Sequence, residues 1–334
     1  MADFFYSRRS FMRLGGVASA ALLGLRIDNP ANAQATVSRL HIICTGPAGS
    51  IPDVIARRIA EQLNGQYAQG VIVENRPGAA GQIAINALKT APTDGSTVLL
   101  AQGAVATVYP HLYAKLAYDP AIDLQPVSLA GEMTLALAVG PAVPTSVTHT
   151  NDLIAWMRAN PNLANVGSPG IGTLPHLLEA MLFREAGVTW QHAVYAGGPP
   201  AMVDLLGGHI AALVLPEGLF RQHSASGKLR VLATSGAQRS KYFPDVQTLV
   251  ELGYRDLMVR EWFAFFMSAR VSTAVIETTS RELRTALARP ELAAAFAESA
   301  MAPTSSTPAA LGDRIATEQR YWRPILRATG IKAE

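Results

Sequence analysis

Leu40-His41-Ile42-Ile43-Cys44-Thr45-Gly46-Pro47-Ala48-Gly49-Ser50-Ile51-Pro52-Asp53 decides how this chain of 334 residues folds. The stretch opens as a short apolar strand, passes through a turn rich in glycine and proline, and starts a helix at Ile51. Ser50 stands at the N-cap, and Asp53 completes a variant capping box. Pro52 is tolerated because first-turn N–H groups have no intrahelical acceptor. Ile55, Ile59 and Leu63 then make one apolar stripe. A strand, a Gly-rich turn and a helix start together form a site for an anion. This turn holds no Lys or Arg, so backbone N–H groups would do the holding.

The theme repeats downstream. Residues 71–75 read as a second strand, followed by the turn Arg76-Pro77-Gly78-Ala79-Ala80-Gly81 and a helix over 82–89. A third strand, 96–101, ends at Gln102-Gly103. Strands alternating with helices at this spacing predict parallel β-α-β units. Ligands of such sheets sit at the carboxyl ends of the strands, which places 45–50, 75–81 and 102–104 along one cleft edge. After a strand at 131–139 the pattern restarts, with a helix at 151–159 and a strand at 165–167. A second Gly-rich turn follows, Ser168-Pro169-Gly170-Ile171-Gly172-Thr173, and Thr173 can cap a helix carrying Leu174, Leu177, Leu178, Met181 and Leu182. A strand at 192–195, the turn Ala196-Gly197-Gly198-Pro199-Pro200, a helix stopped by Gly207-Gly208 and a strand at 210–215 complete this half. The Ala-rich stretch 277–321 reads as helix packed back on the first half. The expected architecture is α/β, two lobes around a central cleft, with the helix starts at Ser50 and Thr173 pointing into it.

The amino terminus reads as an export signal. Ser7-Arg8-Arg9-Ser10-Phe11-Met12-Arg13 is a twin-arginine motif, an apolar run follows over 14–25, and Ala31-Asn32-Ala33 offers a cleavage site. Residues 1–33 are therefore expected to be removed after export to the periplasm. Taking Arg8, Arg9, Arg13, Arg26, Asp3 and Asp28 away from 28 basic and 25 acidic residues leaves 24 against 23. No basic stripe interleaved with aromatics remains, so nucleic acid is not an expected partner, and no other segment is apolar enough to cross a membrane. Cys44, the single cysteine, excludes an intramolecular disulfide and falls in an apolar strand, where a buried, inert thiol is expected.

Neither Gly-rich turn is a nucleotide fingerprint or a G-x-S-x-G elbow. His41, His111, His149, His176, His192, His209 and His223 are scattered without metal-ligand spacing, so neither metal nor cofactor is expected. Only His176, in the first turn after Thr173, falls near the cleft. Trp262-Phe263 with Phe265-Phe266 reads as core with one aromatic lining a pocket, and the charges over 314–327 read as a solvated helix face. No nucleophile, base and orienting group occur together, so no catalytic residue is assigned.

The matching segments of a known family run through the chain: Pro47-Ala48-Gly49-Ser50 with Asp53, Val73-Glu74-Asn75-Arg76-Pro77-Gly78-Ala79-Ala80-Gly81, Ala91-Pro92-Thr93-Asp94-Gly95 and Tyr118-Asp119-Pro120. They continue with Gly167–His176, Tyr195-Ala196-Gly197, Asp204-Leu205-Leu206-Gly207-Gly208 and Gly227-Lys228-Leu229-Arg230. In these the chain resembles the extracytoplasmic solute receptors of the tripartite tricarboxylate transporter, or Bug family. The resemblance implies a type II periplasmic-binding fold, with 36–138 and 258–334 as one lobe, 139–257 as the other, and two crossover strands near Ala138 and Met258. It implies a small carboxylate held by main-chain groups of Pro47, Ala48, Gly49 and Ser50 and of the 168–173 loop. Together with the residue readings above, the candidate ligand-binding set adds Asp53, Gln102, Gly103, Ser168, Gly170, Gly172, Thr173, His176, Tyr195, Gly197, Leu215 and Trp262. Charge-assisted hydrogen bonds of roughly 1.5–3 kcal/mol each would supply the about 8 kcal/mol that micromolar affinity needs.

The chain departs from the family at Gly46, where an aromatic is usual, at Ala196, usually polar, and at Leu215, often Asp. These changes make the pocket more apolar and point to a ligand without an amino group, with Asp53 as the one acid near the cleft. A monomer is expected, delivering its ligand to membrane transporter subunits. A co-receptor docking on a sensor kinase is the alternative, and a periplasmic enzyme a third.

Overall fold

Strand β1 (Val37–Cys44) alternates with β2 (Ala68–Asn75) and β3 (Thr97–Gln102) through the helices Ile51–Leu63 and Gln82–Thr90, and the strands pair parallel in the order β2-β1-β3. The computed structural model describes residues 37–333, so the export segment read at 1–33 lies outside the described residues. Leu40, Ile42 and Cys44 on β1 are fully buried against Ile55 and Ile59 of the first helix, which is the apolar stripe at work. Burial also pushes the Cys44 thiol up to about 11, so the thiolate needed for reaction is not formed at neutral pH.

β4 (Leu124–Val139) joins the two halves. Its sixteen residues exceed the usual ~3–10 of a strand, because it serves two sheets in turn. In the second half stand β5 (Asn165–Ser168), β6 (Gln191–Val194), β7 (Ala212–Pro216) and β8 (Arg230–Thr234); β9 (Arg260–Ser268) and β10 (Met301–Pro303) return to the first. Leu124–Thr134 pairs antiparallel with β9, which also lies beside β3. From Leu135 onward β4 runs between β7 and β8, and β7 continues parallel to β5 and then β6. The handover between sheets falls at Thr134–Leu135, upstream of Ala138. There Ser235 ties three segments: its N–H donates to the Leu135 carbonyl (2.9 Å), its hydroxyl to the Val259 carbonyl, and its Oγ accepts from the Leu135 N–H (3.0 Å).

Three expectations change. β4 begins at Leu124 rather than at 131, since β9 gives it a partner along its whole first half. The stretch 277–321 is not one helix. Pro290 and Pro308, lacking an N–H, each start a new one (Pro290–Glu298 and Pro308–Thr329), and β10 pairs with β4 between them. Arg314 is not on a solvated face, because it bridges Glu132 and Glu318 and covers the Trp262 ring at 4.8 Å.

Candidate ligand-binding site

A cavity of about 770 Å³ is walled by the loops that follow β1, β2, β3, β5, β6 and β7. Of the residues singled out from sequence, Pro47, Gly49, Ser50, Gln102, Gly170, Thr173, Gly197 and Leu215 line it. The others stand around it. Ala48 is exposed on its loop, and Gly172 abuts Leu112. Gly103 donates its N–H to the Trp262 carbonyl (2.8 Å), with the Trp262 ring where its Cβ would be. Trp262 itself is fully buried behind the wall, its indole N–H on the Glu318 carboxylate (2.9 Å). Tyr195 gives its hydroxyl proton to Asp204 (2.7 Å).

The first loop is held from below. Asp53 accepts the Gly49 N–H (2.8 Å), the Arg57 Nε–H (3.1 Å) and the Asn75 amide (2.8 Å), and the same Asn75 amide reaches the Gly46 carbonyl (2.9 Å). Burial opposes ionisation, yet these hydrogen bonds hold the Asp53 carboxyl below its ordinary range. The expected capping box is not formed. Ser50 occupies the N-cap with extended backbone, but its hydroxyl donates back to the Pro47 carbonyl (2.6 Å), and Asp53 takes the Gly49 amide instead of the Ser50 one. An aromatic at position 46 has no room: a Cβ there would lie 2.3 Å from Ser50 Oγ and 2.4 Å from Pro52 Cγ.

The second loop is braced from behind by a group that the scattered histidine positions hid. Gly172, at φ +75°, donates its N–H to His176 Nδ1 (3.0 Å). The His176 ring stacks on that of His192 at 3.8 Å and 4°, and His192 Nε2 contacts Ser168 Oγ (2.7 Å) and Glu179 Oε1 (3.3 Å). Burial, then the neighbouring His192, pushes His176 down to about 3, and burial lifts Glu179 well above the carboxylate range. Ligand atoms of His176, Glu179 and His192 lie within 4.8 Å of one another. The stacked rings, however, place their nitrogens side by side, and His176 Nδ1 and His192 Nε2 already hold Gly172 and Ser168. The group acts as a support for the loop. Thr173 caps the following helix, accepting from the His176 N–H (3.5 Å) and donating to the Gly170 carbonyl (2.8 Å).

With the Gly49 and Gly172 amides engaged inside the chain, the open donors lie one step further on. The N–H groups of Ile51 and Leu174, first residues of their helices and both on the cavity wall, have no partner among the described residues. Each carries the positive end of a helix dipole. Among the described residues no Lys, Arg or His is on the wall; Ile171, Val194, Leu215, Leu219 and Phe263 give it an apolar lining. The acid on the wall among the described residues is Glu261, not Asp53. Sequence reading missed it because the crossover strand expected near Met258 was not assigned a register. Once it is, period two puts Glu261 and Phe263 on the cavity face and Trp262 behind.

Comparison with known proteins agrees with this architecture. Residues 55–331 match the family model described as the tripartite tricarboxylate transporter family receptor. Protein BugT of Bordetella pertussis is 32% identical over 322 residues, covering 96% of this chain and 98% of that one. Among solved structures, Rpa4515 of R. palustris, determined with adipate, superimposes with a TM-score of 0.82 at 23% identity, over 88% of this chain and 98% of its own. MatC (Rpa3494) of Rhodopseudomonas palustris, with bound malate, gives 0.77 at 21% identity over 86% and 99%. The fold is that of the periplasmic binding proteins, and the chain belongs to the tripartite tricarboxylate transporter receptor family.

Proposed function

We propose that this receptor captures a small carboxylate without an amino group in the periplasm and presents it to the membrane subunits of a tripartite tricarboxylate transporter. The observation that carries the reading is the pair of helix-start amides, Ile51 and Leu174, on one cavity wall; among the described residues neither amide has a partner and no Lys, Arg or His lines that wall. Ser50, Thr173, Gly170 and Gly197 shape the same space, and Leu215 and Ala196 leave no acid for an ammonium group at those positions. Adipate and malate, carried by the two neighbours, are carboxylates of a size the cavity accommodates. The lobes we infer are 36–138 with 258–334 and 139–257, closing on the ligand as a monomer about the crossovers near Ala138 and Met258. Such a protein acts by binding and release rather than by catalysis. Export by the twin-arginine route rests on Ser7–Arg13, and replacing Arg8 and Arg9 by Lys is expected to hold the precursor in the cytoplasm.

The test is a calorimetric panel of acetate, benzoate, succinate, adipate, malate, aspartate and glutamate at pH 7. Binding by amine-free acids in preference to the amino acids supports the reading. Absence of binding throughout the panel, or preference for aspartate or glutamate, contradicts it.

A further inference from the structure

Glu261 is a carboxyl group without a counter-charge, placed on the wall of the ligand cavity. It is 8% exposed, and among the described residues its oxygens accept no hydrogen bond and meet no basic group within salt-bridge distance. The cations nearest in the fold are committed elsewhere: Arg260 to Glu132 (3.3 Å), and Arg314 to Glu132 and Glu318. Glu318, on the Pro308–Thr329 helix, adds a like charge from behind. Across the wall stand the phenols of Tyr109 and Tyr113, and Tyr109 accepts from Gln102 Nε2 (3.3 Å). Among the described residues no ammonium, guanidinium or imidazole faces it. An ionised Glu261 would thus be a desolvated anion sharing its cavity with an anionic ligand, and the two charges would repel. In its protonated form the same group is an O–H donor aimed into the cavity.

We propose that Glu261 is a specificity-determining residue that meets the ligand as an uncharged carboxylic acid and donates its O–H to an acceptor oxygen of an anionic, amine-free ligand. This rests on the receptor reading given above and names what that site selects. Burial first, and Glu318 second, raise the Glu261 carboxyl to about 8. The donor form is therefore the major one at pH 7 and is lost as pH rises through 8. A ligand with an ammonium group would have the opposite effect, drawing the proton off Glu261 and binding better as pH rises toward 8.

The experiment compares the wild-type chain with Glu261→Gln, which keeps an N–H donor and cannot ionise. The dissociation constant of the tightest amine-free member of the panel is measured at pH 7 and pH 9. The wild type is expected to weaken about tenfold over that interval, as a single proton with a midpoint near 8 requires, while Glu261→Gln changes less than twofold. Equal pH dependence in the two proteins overturns the proposal, as does a wild-type preference for amino acids that strengthens with pH. A ligand-free arm keeps this separate from the receptor reading. Side-chain 13C NMR of the unliganded protein, with the Glu261 signal assigned by its loss in Glu261→Gln, is expected to titrate near 8. A midpoint of 4 to 5 overturns the proposal whether or not any carboxylate binds.

Discussion

Asp53 and Glu261 are acids of opposite behaviour. Asp53 has its carboxyl pulled below the ordinary range by Arg57, Gly49 and Asn75 against the opposing effect of burial. Its stabilisation is thus complete above the unfolded value of about 3.9 and is lost as pH falls through the lower folded one. Asp53→Asn is expected to lower stability at pH 7 by about 1–2 kcal/mol, discounted because the Arg57 side chain is half exposed. Urea denaturation should show that difference shrinking toward pH 3. Glu261, raised to about 8, has the reverse sign. The folded state holds its proton where the unfolded chain has lost it, so stability falls as pH climbs from about 4.5 to 8. Glu261→Gln should therefore melt higher than wild type at pH 8, with the gap closing toward pH 4.5. Asp53 was legible near the first loop because the first turn of the helix starts there, although it accepts the Gly49 amide rather than closing the expected box. Glu261 was not, because its direction depends on the strand that carries it, and Arg260-Glu261-Trp262-Phe263 shows no polar–apolar alternation to betray one.

The Gly-rich loops with the helices they start were the most readable elements, since cap, turn and apolar stripe are encoded within a dozen residues of one another. What local sequence does not carry is the set of long-range partners: Asn75 under the first loop, His192 and Glu179 under the second. Thr173→Ala removes both a cap acceptor and the hydroxyl that fastens Gly170. It is expected to weaken carboxylate binding about five- to tenfold, roughly 1–1.4 kcal/mol, with the circular dichroism spectrum unchanged. Unchanged affinity would remove the 168–173 loop from the site. At the handover of β4, Ser235→Ala leaves the Leu135 amide and the Val259 carbonyl without their buried partner. A loss of about 1–3 kcal/mol in unfolding free energy is expected, read by denaturant titration.

At the scale of the whole molecule, the chain distributes its roles between the ends of two sheets. Parallel units supply helix starts, the long β4 pairs in both sheets in turn, and the loops at the strand ends enclose the cavity. The two-lobed α/β plan was visible because strand–turn–helix units restart at Pro141. The antiparallel seam was less so, because β4 from Val127 onward and β9 from Glu261 onward are mostly buried and carry no regular alternation. The proposed binding without a cation is consistent with the same plan: amides and dipoles are fixed by the fold and need no basic side chain buried in an apolar wall. The most direct measurement is a crystal structure with the tightest carboxylate of the panel. Its carboxylate oxygens are expected within about 3.2 Å of both the Ile51 and the Leu174 amide nitrogens. A carboxylate bound elsewhere, or held by only one of the two helix starts, would contradict the shared clamp.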